Sequence, residues 1–206
     1  VQGALVQLFR QRGDEATAAK HEGYLRIRNR GGEDIERDPI HTRVGDYELP
    51  RRGDAARASR HALAEKWEGE MAPNWAVFDL DGQPLGPEAM EGKVVVLDFW
   101  ATWCGPCRAT MPHLSELHDS DPRVVVVGLT SEETAPVEAF LRKRPVTYPV
   151  GIDRGERVYR TYEVAALPTA FVIDPSGRIV KVQVGGGEAA VAAIEDAVRE
   201  ALQGEE

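Results

Sequence analysis

Long apolar runs are missing from this chain of 206 residues: none approaches the roughly 18 consecutive apolar residues that a membrane-crossing helix needs. No signal peptide is visible at the start. The chain opens on Val1, which fits removal of an upstream signal or anchor. Cysteine is nearly absent, with only 2 in the chain, which excludes the disulfide framework that staples small secreted domains and leaves the compartment undecided. A basic excess is lacking too. Against 25 Lys and Arg stand 34 Asp and Glu, for a net charge of −9, with residues 1–66 carrying +2 and residues 67–206 carrying −11. An acidic domain offers no electrostatic footprint for nucleic acid. The short run RIRNR, Arg26 to Arg30, does not supply one and reads as a solvated face. No internal repeat is present.

What is there centres on those cysteines. Cys104 and Cys107 fall in VVVLDFWATWCGPC, directly after an apolar run with the composition of a buried strand. A CxxC pair at a helix start places the first sulfur near unpaired backbone N–H groups and the positive end of the helix dipole, which favour thiolate over thiol. A free thiol has a pKa of about 8.5, and such surroundings lower it to roughly 3.5–7.5. Cys104 is therefore the expected nucleophile toward a substrate disulfide. Cys107, one turn on, is placed to resolve the mixed disulfide and leave the two cysteines joined. Gly105 permits a tight strand-to-helix turn, and Pro106 suits a first helical turn, where its missing N–H is no loss.

A CxxC is also half of a zinc site, and His113 and His118 follow it. All four candidates lie on one short stretch, however, and histidines five apart on a helix point about 140° away from each other at roughly 100° per residue. Ordinary polar positions on the helix are the better account of both. A peroxidatic cysteine pattern would require a Thr three residues before Cys104 and a Pro four residues before that; Ala101 and Leu97 stand there instead. Asp98 interrupts an apolar strand, where an unpaired carboxylate is costly to bury; a strand-end acid reaching solvent or an Arg is the alternative to a functional role.

WATWCGPC, with Asp98 on the preceding strand, resembles the active site of the thioredoxin superfamily. NWAVFDLDG, Asn74 to Gly82, and ALPTAFVID, Ala166 to Asp174, make the chain similar to the TlpA-like and ResA-like branch of exported or membrane-associated thiol-disulfide oxidoreductases, over about residues 72–203. The resemblance implies an α/β, thioredoxin-like fold: a central mixed sheet flanked by helices, with an N-terminal β-hairpin. It implies Asp98 as general base for Cys107, its pKa raised by desolvation. It implies a cis bond at Pro168, where sequence alone predicts trans, and places Leu167 against the substrate chain. Trp103, Gly105, Pro106, Leu167 and Pro168 then form the substrate-binding surface, with Trp103 shielding Cys104 and Trp100 either shielding or packing. No cofactor beyond the redox-active Cys104–Cys107 disulfide is implied, and no metal.

The resemblance further implies a disulfide-containing protein client, an upstream thiol electron donor, and an exported or periplasmic location with an anchor ahead of the chain, a cytoplasmic location being the alternative. One departure matters: where the branch commonly has Glu, three residues after the second cysteine, this chain has Thr110. The missing acid and the Gly-Pro pair tilt the reading toward a reductant. A binding module with unused cysteines, or a disulfide-forming or isomerising enzyme of the same fold, are the competing functions.

Residues 71–206 are expected to form the thioredoxin-like domain and residues 1–70 an N-terminal extension. In the extension, Leu5, Val6, Leu8 and Phe9 suggest a short helix, Tyr24 to Ile27 a strand and Ala55 to Trp67 a helix. Gly31, Gly32, Pro39, Gly45, Pro50 and Gly53 interrupt them. In the domain, a hairpin from Phe78 to Leu85 leads to a strand at Val94 to Phe99. Met111, Leu114 and Leu117 mark the buried face of a helix that Pro112 should kink. A strand at Val124 to Leu129, a helix at Pro136 to Arg144, a short strand at Tyr148 to Ile152 and a turn at Val158 to Tyr162 come next. A closing hairpin (Ala170 to Ile173, Ile179 to Val184) and a helix from Glu188 to Leu202 complete it.

Overall fold

The computed structural model describes residues 43–44, 47–48 and 54–204. The helix expected near Leu5 and the strand expected at Tyr24 to Ile27 lie outside them. Two compact units divide the chain, Val1–Arg51 and Arg52–Glu206. In the first, β1 (Arg43–Val44) pairs antiparallel with β2 (Tyr47–Glu48).

The second unit opens with α1 (Asp54–Trp67) and holds a sheet of 7 strands. In chain order these are β3 (Val77–Asp79), β4 (Pro84–Leu85), β5 (Val94–Phe99), β6 (Val124–Thr130), β7 (Val150–Ile152), β8 (Thr169–Ile173) and β9 (Ile179–Val184), arranged in space as β4-β3-β7-β6-β5-β8-β9. β5, β6 and β7 run parallel to one another, whereas β3, β4, β8 and β9 pair antiparallel with their neighbours. The sheet is thus mixed. Four more helices cover it: α2 (Gly105–Ser120), α3 (Thr134–Leu141), α4 (Arg157–Thr161) and α5 (Glu188–Gln203).

Every residue of β5 and β6 is buried, because sheet centres covered on both faces read as continuous apolar runs. Alternation along β5 sorts the two faces. Val94, Val96 and Trp100 share a core with Met111 and Leu114 of α2 and Ile194 and Val198 of α5. Val95, Leu97 and Phe99 face the opposite core, with Val158 and Tyr162 from the α4 segment and the partly buried Leu63, Ala64 and Trp67 of α1. The turns are chemically specified. Asp79 accepts the backbone N–H groups of Asp81 (3.0 Å) and Gln83 (2.7 Å) between β3 and β4. Asp174 does the same for Ser176 (2.9 Å) and Arg178 (3.0 Å) between β8 and β9. α2 continues as one helix through Pro112 to Ser120.

Candidate active site

The disulfide forms where β5 leaves the sheet. Four residues separate Phe99 from Cys104, which is the N-cap of α2, with Gly105 and Pro106 in the first turn. Cys104 and Cys107 are joined, and the Cys107 N–H donates to the Cys104 sulfur at 3.2 Å. The first turn of α2 carries no acidic residue, so the unpaired N–H groups and helix dipole act on Cys104 without an opposing charge from that turn. The two sulfur-bearing residues differ in access: Cys104 is 4% exposed and Cys107 is fully enclosed. Gly105 and Pro106 are exposed, and so is Trp103, at 71%. Trp100 is fully buried and tilted against Phe140 at a ring separation of 5.6 Å. Of the two accounts open for Trp100, core packing is the one realised.

Asp98 lies on the α2 face of β5 by the same alternation that puts Val96 and Trp100 there, in the core that encloses Cys107. It is 2% exposed, and burial raises its pKa from the ordinary 3.8 to about 7. Its Oδ2 has no hydrogen-bond partner, and neither do the Trp100 Nε1 and Tyr148 hydroxyl. Gly128 stands opposite Asp98 across the β5–β6 pairing. A Cβ there would lie 2.9 Å from Trp100 Nε1 and 3.1 Å from Tyr148 Cε2, so only glycine admits both rings at this point. Tyr148 and Tyr159 are the titratable neighbours that feel Asp98; burial first, and its negative charge second, raise both well above the ordinary tyrosine value.

The Leu167–Pro168 bond is cis. Thr169 pairs with Phe99 in the β5–β8 ladder, so Pro168 sits level with the end of β5, where the loop to Cys104 begins. The Gly185 N–H donates to the Pro168 carbonyl at 2.8 Å. A Cβ on the next residue, Gly186, would lie 3.1 Å from Pro106 Cβ and 3.2 Å from its carbonyl oxygen. The β9–α5 loop therefore touches the CGPC turn. Leu167 is half-buried and precedes β8, outside the ladder.

Three supports of the site carry no short-range signature in the sequence. Glu132 accepts both the backbone N–H and the hydroxyl of Thr102, at 2.6 and 2.7 Å, across a separation of 30 residues. The Tyr159 hydroxyl reaches the carbonyls of Trp100 and Leu129, each at 3.0 Å. Gly186 makes the contact just described. At Thr110, where the resembled branch carries an acid, a buried hydroxyl donates to the Cys107 carbonyl at 2.9 Å. His118 Nδ1 accepts the Val126 N–H at 3.2 Å, and His113 lies near Glu116 at the surface. Among the described residues no three His, Cys, Asp or Glu side chains are grouped to hold a metal.

The AhpC/TSA family matches residues 69–182. Leu97 and Ala101, at the two positions a peroxidatic pattern would use, are buried apolar residues here. The thiol-disulfide oxidoreductase ResA of Bacillus cereus (strain ZK / E33L) is 38% identical over 120 residues, covering 57% of this chain and 69% of that protein. Among solved structures, a putative thiol:disulfide interchange protein DsbE from Chlorobium tepidum superposes with a TM-score of 0.63 at 32% identity, covering 66% of this chain and 97% of that one. The exposed lipoprotein thioredoxin Etrx1 of Streptococcus pneumoniae strain TIGR4 superposes at 0.54 with 26% identity, covering 64% and 99%. These likenesses meet on the segment that carries the disulfide, and the chain belongs to the AhpC/TSA family as a thiol-disulfide oxidoreductase.

Proposed function

We propose that the protein reduces disulfides in other proteins, with Cys104 attacking and Cys107 resolving. The observation that carries this is the asymmetry of access at the start of α2: Cys104 keeps 4% of its surface exposed, among the exposed Trp103, Gly105 and Pro106, and Cys107 keeps none. In the dithiol form the Cys104 thiolate attacks one sulfur of the client disulfide. The client S–S bond breaks, the departing client sulfur takes a proton, and a mixed disulfide remains. Asp98 accepts the proton of Cys107. The Cys107 thiolate then attacks the Cys104 sulfur, the mixed disulfide breaks, and the client leaves as a dithiol. Two electrons have passed, and the protein is left in the disulfide form seen here. A dithiol donor restores it by the reverse exchange.

Asp98 suits its role because a carboxyl with a pKa near 7 takes up and releases a proton at neutral pH. Trp103, Gly105, Pro106 and Leu167 form the surface the client meets, with the buried cis-Pro168 setting the path of Leu167. The Gly-Pro pair and the neutral Thr110 favour a reducing couple. An exported location follows from the resemblance to the ResA-like branch and is supported by the similarity to an exposed lipoprotein. The catalytic body comprises residues 52–206, so that α1, expected within the N-terminal extension, packs on the sheet of the domain itself.

The test is catalysed reduction of insulin with dithiothreitol as donor. The wild-type protein accelerates precipitation of the reduced chains, and Cys104→Ser loses the acceleration entirely. Full activity in Cys104→Ser contradicts the mechanism.

A further inference from the structure

α1 ends at Trp67, ahead of residue 69 where the family match begins, so it lies outside what the chain shares with that family. Its C-terminal half is nonetheless fixed to the domain. Trp67 stacks on Tyr162 at 6.1 Å, and Lys66 forms an ion pair with Glu163. Just beyond the helix, Glu68 accepts the Val182 N–H at 3.0 Å and pairs with Lys181 at 3.2 Å, which ties the segment to β9.

Between α1 and the segment entering β8 runs a groove of about 550 Å³. Ala62, Leu63 and Lys66 form one wall; Leu167, Val184 and Gly185 form the other. Three features connect it to the disulfide. Leu167 is joined to cis-Pro168, Gly185 is hydrogen-bonded to the Pro168 carbonyl, and Gly186 lies against Pro106. Leu63, Leu167 and Val184 are each only partly buried, so their aliphatic surface lines the groove. Lys66 and Glu163 neutralise each other beside it. Arg60 lines the same groove beside Gly185, and an apolar side chain fits the aliphatic stretch formed by Leu63, Leu167 and Val184.

We infer that α1 builds a client-specificity groove: the polypeptide flanking the client cysteine lies extended along Leu167 and seats an apolar side chain between Leu63, Leu167 and Val184. This rests on the reductase reading above. An extended polypeptide is the occupant because the walls of the groove run into the disulfide's surroundings, Leu167 into cis-Pro168 and Gly185 into Gly186 against Pro106. A group held there belongs to the molecule whose sulfur is under attack, and the backbone of Leu167, outside the sheet ladder, can pair with an added strand. A small disulfide spans only the sulfurs and gains nothing from α1.

The test uses cyclic disulfide peptides in which one Leu is scanned across the positions flanking a cysteine, each with an Asp counterpart, and a small aromatic disulfide as a separate substrate. Ala62→Trp and Ala165→Trp fill the groove from opposite walls at exposed positions, and unchanged thermal melting verifies their folds. With the wild type, kcat/KM at the best Leu position exceeds that of its Asp counterpart by about tenfold, the scale expected for an apolar pocket. Both variants lose that preference through KM, with kcat retained. A Leu preference that survives in both variants, or is absent from the wild type at every position, overturns the groove. Failure of the wild type to reduce even the small disulfide overturns the reductase reading itself.

Discussion

Glu132 holds Thr102 by two hydrogen bonds, one from the backbone N–H at 2.6 Å and one from the hydroxyl at 2.7 Å. The carboxylate lies past the end of β6, and the threonine sits in the loop that delivers Cys104. This clamp fixes the path of the chain into α2. Replacing Glu132 by Ala leaves the Thr102 donors without their charged partner. The expected loss is about 1.5–3 kcal/mol of stability, the range for hydrogen bonds to charged groups. Urea unfolding of the oxidised protein measures it, and Glu132→Gln, which keeps one acceptor oxygen, should fall between the wild type and Ala.

Asp98 gives stability a definite pH dependence. Unfolded, its carboxyl ionises near 3.8; folded, near 7. Between those values the folded protein keeps a proton that the unfolded chain has lost, so the contribution falls as pH rises through this window and levels off above it. At roughly 1.4 kcal/mol per pH unit, the full decline is about 4 kcal/mol. Asp98→Asn removes the titration, so its stability relative to the wild type should climb from pH 4 to pH 8 by up to that amount. Unfolding of both proteins across the range gives the comparison, and parallel profiles would sink the assignment.

The couple should be reducing. With Gly-Pro between the cysteines and Thr110 in place of an acid, its potential is expected nearer the roughly −270 mV of thioredoxin than the roughly −120 mV of DsbA. Equilibration with glutathione buffers measures it. A value close to the latter would assign a disulfide-forming role instead.

Much of this site was legible in the sequence because its determinants are local. The apolar runs that became β5 and β6, the CxxC at the head of α2 and the lone Asp98 in its strand each announce themselves within a few residues. The Asp79 and Asp174 turns are equally local. The supports were hidden because they are tertiary. Glu132 and Thr102 are 30 residues apart, and Tyr159 is 59 residues from the Trp100 carbonyl it holds. The glycine at position 186 carries no pattern that reveals Pro106 beside it. α1 itself was predicted from its own composition, but its packing on β9, and hence the groove beside Leu167, depends on Trp67 meeting Tyr162 from a distant part of the chain.

The division of labour between the cysteines is tested most directly by trapping the mixed disulfide. Cys107→Ser, mixed as the free thiol with a disulfide-bonded protein client, should accumulate a covalent complex through Cys104 that dithiothreitol dissolves, while Cys104→Ser forms none. Covalent capture by Cys104→Ser through Cys107, with none by Cys107→Ser, would contradict the account.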